Sequence, residues 1–441
     1  MLFIPLLFAF EGAQAKFGSI VDVGLAGDFY FSKESANNGQ AFANLLIRND
    51  WSDSQFYVDV GGGGLIADSG HTYIKAPQFY YRGGSKQNLQ WTLGRSLHNW
   101  SFLDSHWHMG LTQPLFLWNG AHPEEQGLTG AFLTIPLMND TFEVTAFASY
   151  LFIPTQGASY EFTDGKITSS NPWFVEPVQA VSFSGNRIDL NYQLNTPKTQ
   201  DVVFRASYGL SIGTPMNRKG WLINAFYLNK PANDLVLPFT GGLNLSTSQG
   251  DIDIRPEVAR HQVTGLDAGW SGRSYKFVAS WLHEFEHKYA IPADSTYPIL
   301  PDQDIFSLGT RYLISHSQRI WLSYLHVDRK KTGIEGLFSS AQIDTYVKRN
   351  RFEKALQLKW QGLLFKSSRG YSVKSMMALY FDPDTDNTWI TSDFRWAALA
   401  NTEVFVQCDL FGSSHTEYLG KDFISTYQNN DRCLVGGHYA F

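Results

Sequence analysis

The sequence has no run of eighteen apolar residues, so no part of it is long and apolar enough to cross a bilayer as a helix. With only 2 cysteines it has no four-cysteine metal cluster, and it carries no glycine-rich phosphate loop. It also lacks an excess of positive charge. A formal net charge of −6 is the wrong sign for a nucleic-acid binder. No stretch repeats its apolar residues with a helical period, so little helix is expected. No Ser-His-Asp spacing is specific enough to suggest a hydrolase, and neither an enzymatic activity nor a cofactor or resident metal is expected.

What is present is alternation. Val21, Val23, Leu25, Phe29 and Phe31 face one way, with Asp22, Gly24, Ala26, Asp28 and Tyr30 on the other. Leu356, Leu358 and Trp360 interleave with Gln357, Lys359 and Gln361; Tyr275, Phe277, Ala279 and Trp281 interleave with Lys276, Val278 and Ser280. Connection lengths alternate as well. Short ones fall near 51–53, 83–86, 138–140, 216–219, 271–273, 315–317, 366–369 and 401. Longer polar ones fall at 98–125, 154–200, 231–258, 288–303, 331–350 and 413–430. Tight turns at one end and long loops at the other predict an all-β fold, a transmembrane antiparallel barrel with short periplasmic turns and long extracellular loops. Strands counted this way number eighteen. A further hairpin from 178–183 and 188–194 would make twenty.

The two ends of the chain fit export and insertion. Residues 2–10 are apolar and Ala13-Gln14-Ala15 suits cleavage, so 1–15 reads as a signal peptide, though no Lys or Arg precedes the apolar core. A buried N-terminal strand is the alternative. Residues 16–441 then form one barrel domain. At the other end Cys433, Val435, Gly437, Tyr439 and Phe441 share one face of a strand that runs to the last residue.

On these residues the chain resembles Gram-negative outer-membrane β-barrels of the porin type, over 16–441. The resemblance implies a location in the bacterial outer membrane, contact with its lipid and lipopolysaccharide, and a C-terminal signal, here Tyr439 and Phe441, read by the barrel assembly machinery. Gly437 departs from that signal, which more often has a larger apolar residue there. Homo-oligomers are common in the class.

Several constellations stand out. The stretch 97–127 carries Trp100, Asp104, His106, Trp107, His108, Trp118, Glu124 and Glu125. So many large aromatics suit a loop folded inward at about 98–125, where they contact a solute or simply pack against the wall. Extended backbone would put His106 and His108 on one face, yet two imidazoles alone leave a metal site incomplete. His283-Glu284-Phe285-Glu286-His287 matches a zinc-protease motif that works only on a helix. Here it continues a strand, which spaces the imidazoles by roughly 13 Å. Glu284 and Glu286 therefore read as lumen-side carboxylates near the outer rim.

Alternation also turns Lys276, Arg311, Lys359, Lys374, Asp393, Arg395 and Asp409 into the lumen, where the two signs predict no strong ion selectivity. Cys408 and Cys433 fall opposite each other on the lipid-facing side if Phe441 aligns with Ala400; a disulfide is geometrically possible there, and two free thiols are the alternative. The expected function is passive diffusion of small polar solutes, saccharides among the candidates, past loop 98–125. The alternative is a barrel that binds or exports a surface polysaccharide.

Overall fold

The structure is a computed structural model that describes residues 16–31, 37–50, 53–68, 70–85, 87–138, 141–215, 218–244, 246–285, 302–329, 350–367, 371–399, 401–413 and 422–441. The expected signal peptide, Trp51, Glu286 and His287 lie outside the described residues.

Eighteen strands form one antiparallel sheet. They are β1 (Lys16–Tyr30), β2 (Asn38–Asp50), β3 (Ser54–Leu65), β4 (Thr72–Ser85), β5 (Leu89–Ser96) and β6 (Leu128–Leu137). Next come β7 (Phe142–Ser149), β8 (Ser207–Gly213), β9 (Gly220–Pro231), β10 (Arg260–Ser271), β11 (Tyr275–Phe285) and β12 (Gln303–Leu313). The last are β13 (Gln318–Arg329), β14 (Lys354–Lys366), β15 (Ser372–Asp382), β16 (Asn387–Leu399), β17 (Thr402–Gly412) and β18 (Arg432–Ala440). Each pairs with its neighbours in sequence, and β18 pairs with β1 from Asp22↔Ala440 to Tyr30↔Arg432, which closes the cylinder. Closure removes the edges that an open sheet would expose.

The side-chain period of two then decides what each face meets. Outward lie Leu25, Phe29, Leu210, Trp221, Leu308, Leu358, Ile390, Trp396 and Tyr439, all solvent-exposed in the isolated chain. A continuous apolar exterior on a closed sheet is the form in which strands satisfy every backbone group inside a bilayer. Phe441 also points outward, 71% exposed, with its ring edge-on to Tyr439 at 4.7 Å. Trp389 lies near a strand end, as Trp221 and Trp396 do, yet it turns inward and is 2% exposed where they face out. Its period-two neighbour Thr391 is buried with it, whereas Ile390 faces out.

The additional hairpin exists but does not join the wall. Ala180–Phe183 pairs with Asn186–Leu194, which runs parallel to Gln249–Ile254, itself paired with Phe239–Asn244. These four strands pair only with one another and with none of the eighteen in the wall. This small sheet belongs to the long-loop end, and the barrel count stays at eighteen. Nor does β8 start as early as expected near 201. Residues Thr199–Val203 form a helical turn ahead of it.

Cys408 and Cys433 sit directly opposite on β17 and β18, and their Sγ atoms are bonded at 2.00 Å.

Candidate functional site: a folded-in loop above a cationic row

The connection from β5 to β6 leaves the wall at Leu97 and crosses the lumen. Ser101 stops the extended chain and caps a short helix, α1 (Phe102–Trp107), by accepting from the Leu103 and Asp104 N–H groups. Asp104 then organises the far side of the turn. Its carboxylate accepts from Leu111 N at 3.0 Å, from Thr112 N at 2.8 Å and from the Thr112 hydroxyl. His108 closes the helix in the left-handed region, with φ 50°. The segment is helical rather than extended, so His106 sits in the last helical turn and His108 at the cap, not side by side on a strand face.

The loop's large side chains are packing groups. Trp100 is fully buried against Phe147 and Phe226, and its carbonyl accepts from Asn224 Nδ2 at 2.6 Å. The Trp107 indole donates to Ser307 Oγ at 2.9 Å, and His106 Nε2 lies 2.9 Å from Ser323 Oγ. Trp118 packs on Tyr73 at 4.8 Å, while Lys75 Nζ holds Glu124 at 2.6 Å. The loop is thereby tied to β4, β7, β9, β12 and β13, much of the circumference.

Burial holds its imidazoles neutral. His98 and His106 are each pushed down to about 4 and His108 to about 3, chiefly by desolvation, with nearby cations adding to it. Burial and the Asp104 charge push the Glu125 carboxyl up to about 7.

Two further groups complete the upper half of the lumen. Phe352, Tyr380, Trp389 and Phe411 stack in sequence at 5.4, 4.4 and 5.7 Å, and the Arg351 guanidinium lies 4.9 Å from the Trp389 ring centre. At the seam, Arg432 reaches Asp28 at 2.5 Å and Asp409 at 3.3 Å, and His122 from the loop meets Asp409 at 2.8 Å. Glu284 does face inward, held by His261 at 2.5 Å and Gln303 at 2.6 Å.

Below α1 the lumen changes character. Register places Lys276 opposite Arg311, Arg311 opposite Trp321, and Trp321 opposite Lys359, so β11 to β14 carry three cations and an indole in one row. Lys276 Nζ lies 5.1 Å from the Phe102 ring centre and Arg311 lies 5.4 Å from that of Trp321. Arg319, one step nearer the short turns, donates to Gln361 at 2.8 Å. Among the described residues none of Lys276, Arg311, Arg319 and Lys359 forms an ion pair with a carboxylate. Farther round, Arg395 is paired with Asp393 at 3.0 Å and with Glu403 at 3.4 Å, and Lys374 is exposed opposite it.

The loop and most of these inward charges are residues that the sequence pattern singles out. Not singled out were α1, His122, Arg319, Arg351, Arg432 and Asp267, whose carboxylate accepts from Phe102 N and from Asn224 Nδ2, each at 3.1 Å. The Ser101-x-x-Asp104 spacing was an available signal for the helix; the others become visible only through register.

No protein-family model matches the chain, and no curated protein matches it. Among solved structures it is similar to Acinetobacter baumannii OccAB1, at 10% identity over 97% of each chain with a TM-score of 0.48. It is also similar to Pseudomonas aeruginosa OccK5 (OpdH), at 11% identity over 97% of each chain and a TM-score of 0.47. A Salmonella typhi OmpF complex with daunomycin matches at 10% identity over 96% of this chain and 97% of that one, with a TM-score of 0.41. Likenesses this distant carry no argument, and the assignment rests on the strands themselves. An even-stranded, closed antiparallel barrel with an apolar exterior, short turns at one end and long loops at the other is a transmembrane barrel of the bacterial outer-membrane kind. Its short turns face the periplasm and its long loops the outside.

Proposed function

We propose that the protein is an outer-membrane channel for passive diffusion of small polar solutes and that it favours anionic ones. The row Lys276, Arg311 and Lys359 carries this reading. Like charges set directly opposite on neighbouring strands cost roughly 0.2–1 kcal/mol. A wall that places Lys276 against Arg311, with no carboxylate at ion-pair distance from either among the described residues, breaks the local rule, and such breaks mark function. A passing anion offsets the repulsion. Saccharide contact draws less support, because Trp100, Trp107 and Trp118 are packed against the wall and leave no open aromatic face. Tyr439 and Phe441, outward at the periplasmic rim, suit a handle for the assembly machinery.

The test is a reversal-potential measurement in planar bilayers under a potassium chloride gradient. Wild-type protein passes chloride in preference to potassium, and Arg311→Glu with Lys359→Glu reverses that preference. Cation preference in the wild type sinks the anion reading. A protein that inserts but never conducts leaves a barrel for surface polysaccharide binding or export in front.

A further inference from the structure

Outside the lumen, the mouth brings together three metal-ligating side chains that lie far apart in sequence. Asp68 and His71 come from the β3–β4 connection, and Glu161 from the hairpin Glu161–Thr163/Lys166–Thr168 within the 150–206 loop. A ligand atom from each lies within 4.8 Å of the others. His71 is 2% exposed, and its Nδ1 stands 2.9 Å from Asp68 Oδ2 without hydrogen-bond geometry. A shielded imidazole nitrogen this close to a carboxylate oxygen suits neighbouring ligands of a single metal ion once the ring proton has left Nδ1. The Asp68 carboxylate is already oriented, by Gly70 N at 3.1 Å and by the Ser170 hydroxyl at 2.8 Å. Oriented ligands are what a metal site requires of its surroundings.

We propose that Asp68, His71 and Glu161 bind a divalent transition metal, zinc by donor type, and that the ion clasps the 150–206 loop to the β3–β4 connection across the mouth. One imidazole nitrogen with two carboxylate oxygens suits zinc better than calcium or magnesium, which take oxygen alone. Three protein ligands leave one tetrahedral position to water. Ligands on bonds of about 2.1 Å sit roughly 3.4 Å apart. Glu161, exposed at the start of its hairpin, supplies the remaining closure by swinging inward. Binding through Nδ1 moves the ring proton to Nε2 and gives up only a long contact with Ser170 N, 3.4 Å.

The clasp has something to hold. Asn171, next to Ser170, donates to the Trp118 carbonyl at 3.1 Å, and Trp118 packs on Tyr73 of β4. Fixing the 150–206 loop to β3–β4 therefore fixes the roof over the folded-in loop. Binding at this site is independent of whether the lumen conducts.

Calorimetric titration of the detergent-solubilised full chain with zinc chloride at neutral pH tests the proposal. One saturable site is expected, weakened at least tenfold in both His71→Ala and Glu161→Gln. Far-ultraviolet circular dichroism and heat-dependent gel migration check that each variant keeps its barrel. Absence of saturable binding overturns the site, as do equal affinities in a folded His71→Ala/Glu161→Gln double variant, which would place the zinc on other histidines. Saturable calcium binding without zinc binding overturns the metal class. Calorimetry needs no current, so its outcome stands apart from the conductance result.

Discussion

The two halves of this lumen are built on opposite rules. Toward the outside, charges are buried and matched: Arg432 lies between Asp28 and Asp409, and aromatic rings fill the space around them. Toward the periplasm, Arg311, Arg319 and Lys359 are half-exposed and unmatched by carboxylates among the described residues. Buried charges cost several kcal/mol each unless paired, so pairing above is a condition of folding. Water below removes that condition and leaves these three cations free to meet a solute, while Arg395 farther round keeps Asp393 and Glu403 as partners. The upper half thus behaves as protein core and the lower half as a wet surface, within one ring of strands.

The severest way to break this contrast is to unmatch the upper half. Arg432→Met removes the cation that links β18 to β1 and β17, and leaves the Asp28 and Asp409 carboxylates buried near each other. Losing one partner of a buried pair costs about 3–5 kcal/mol. The expected result is a barrel that unfolds at a lower urea concentration, followed by tryptophan fluorescence in liposomes. Arg395→Met, in the open lower half, should change the unfolding free energy by less than about 1 kcal/mol. Similar losses at both sites would mean that the halves do not differ.

A gentler probe is pH, acting through the loop. His98, His106 and His108 have folded-state values well below the usual 6.5. A released loop therefore binds protons that the packed loop refuses, and packing is intact above about 6.5 but weakens as pH falls toward 4. Glu125 opposes this, because the packed loop takes up its proton between about 7 and 4.5. Three imidazoles against one carboxyl leave acid release as the net direction. Single-channel conductance should rise below about pH 5, and His106→Gln with His108→Gln should flatten the rise. A flat wild-type profile would show that the loop is held by something other than neutral imidazoles.

Much of the frame was legible because a strand's period of two is the sheet's own period. Lys276, Arg311 and Lys359 fall inward by parity alone, and pairing Phe441 with Ala400 predicts the Cys408–Cys433 register. What stayed hidden depends on contacts between distant strands. Trp389 sits at a strand end like Trp396, and nothing local shows that one points into a ring stack while the other meets lipid. His122 and Asp409 are far apart in sequence, so their pairing requires knowing how far the loop crosses. The cations were read as scattered charges of both signs; only register lines three of them up on adjacent strands. Glu284, expected as a lumen-side carboxylate, is buried against His261 and Gln303 and so makes part of the packed wall.

The smallest change in either half should come from the disulfide, although it is the one covalent link between strands. Cys408 and Cys433 face the lipid side, opposite in parity to Asp409 and Arg432. Replacing both by serine leaves the lumen's lining untouched, so conductance and ion preference should match the wild type. Stability is another matter. The bond closes a loop with a sequence separation of 25 residues, and closure of that size contributes about 3.5 kcal/mol at most if the unfolded chain is otherwise free. The existing ladder from Thr402↔Tyr439 to Asp409↔Arg432 already holds these strands together in the folded barrel, so the gain lies in the unfolded ensemble. Unfolding in urea, with and without reductant, should therefore shift for the wild type and not for the serine variant, while the current traces of the two stay superimposable. A change in current would mean that the outer and inner faces of β17 and β18 are coupled, and the separation of the wall into a lipid side and a solute side would fail at its seam.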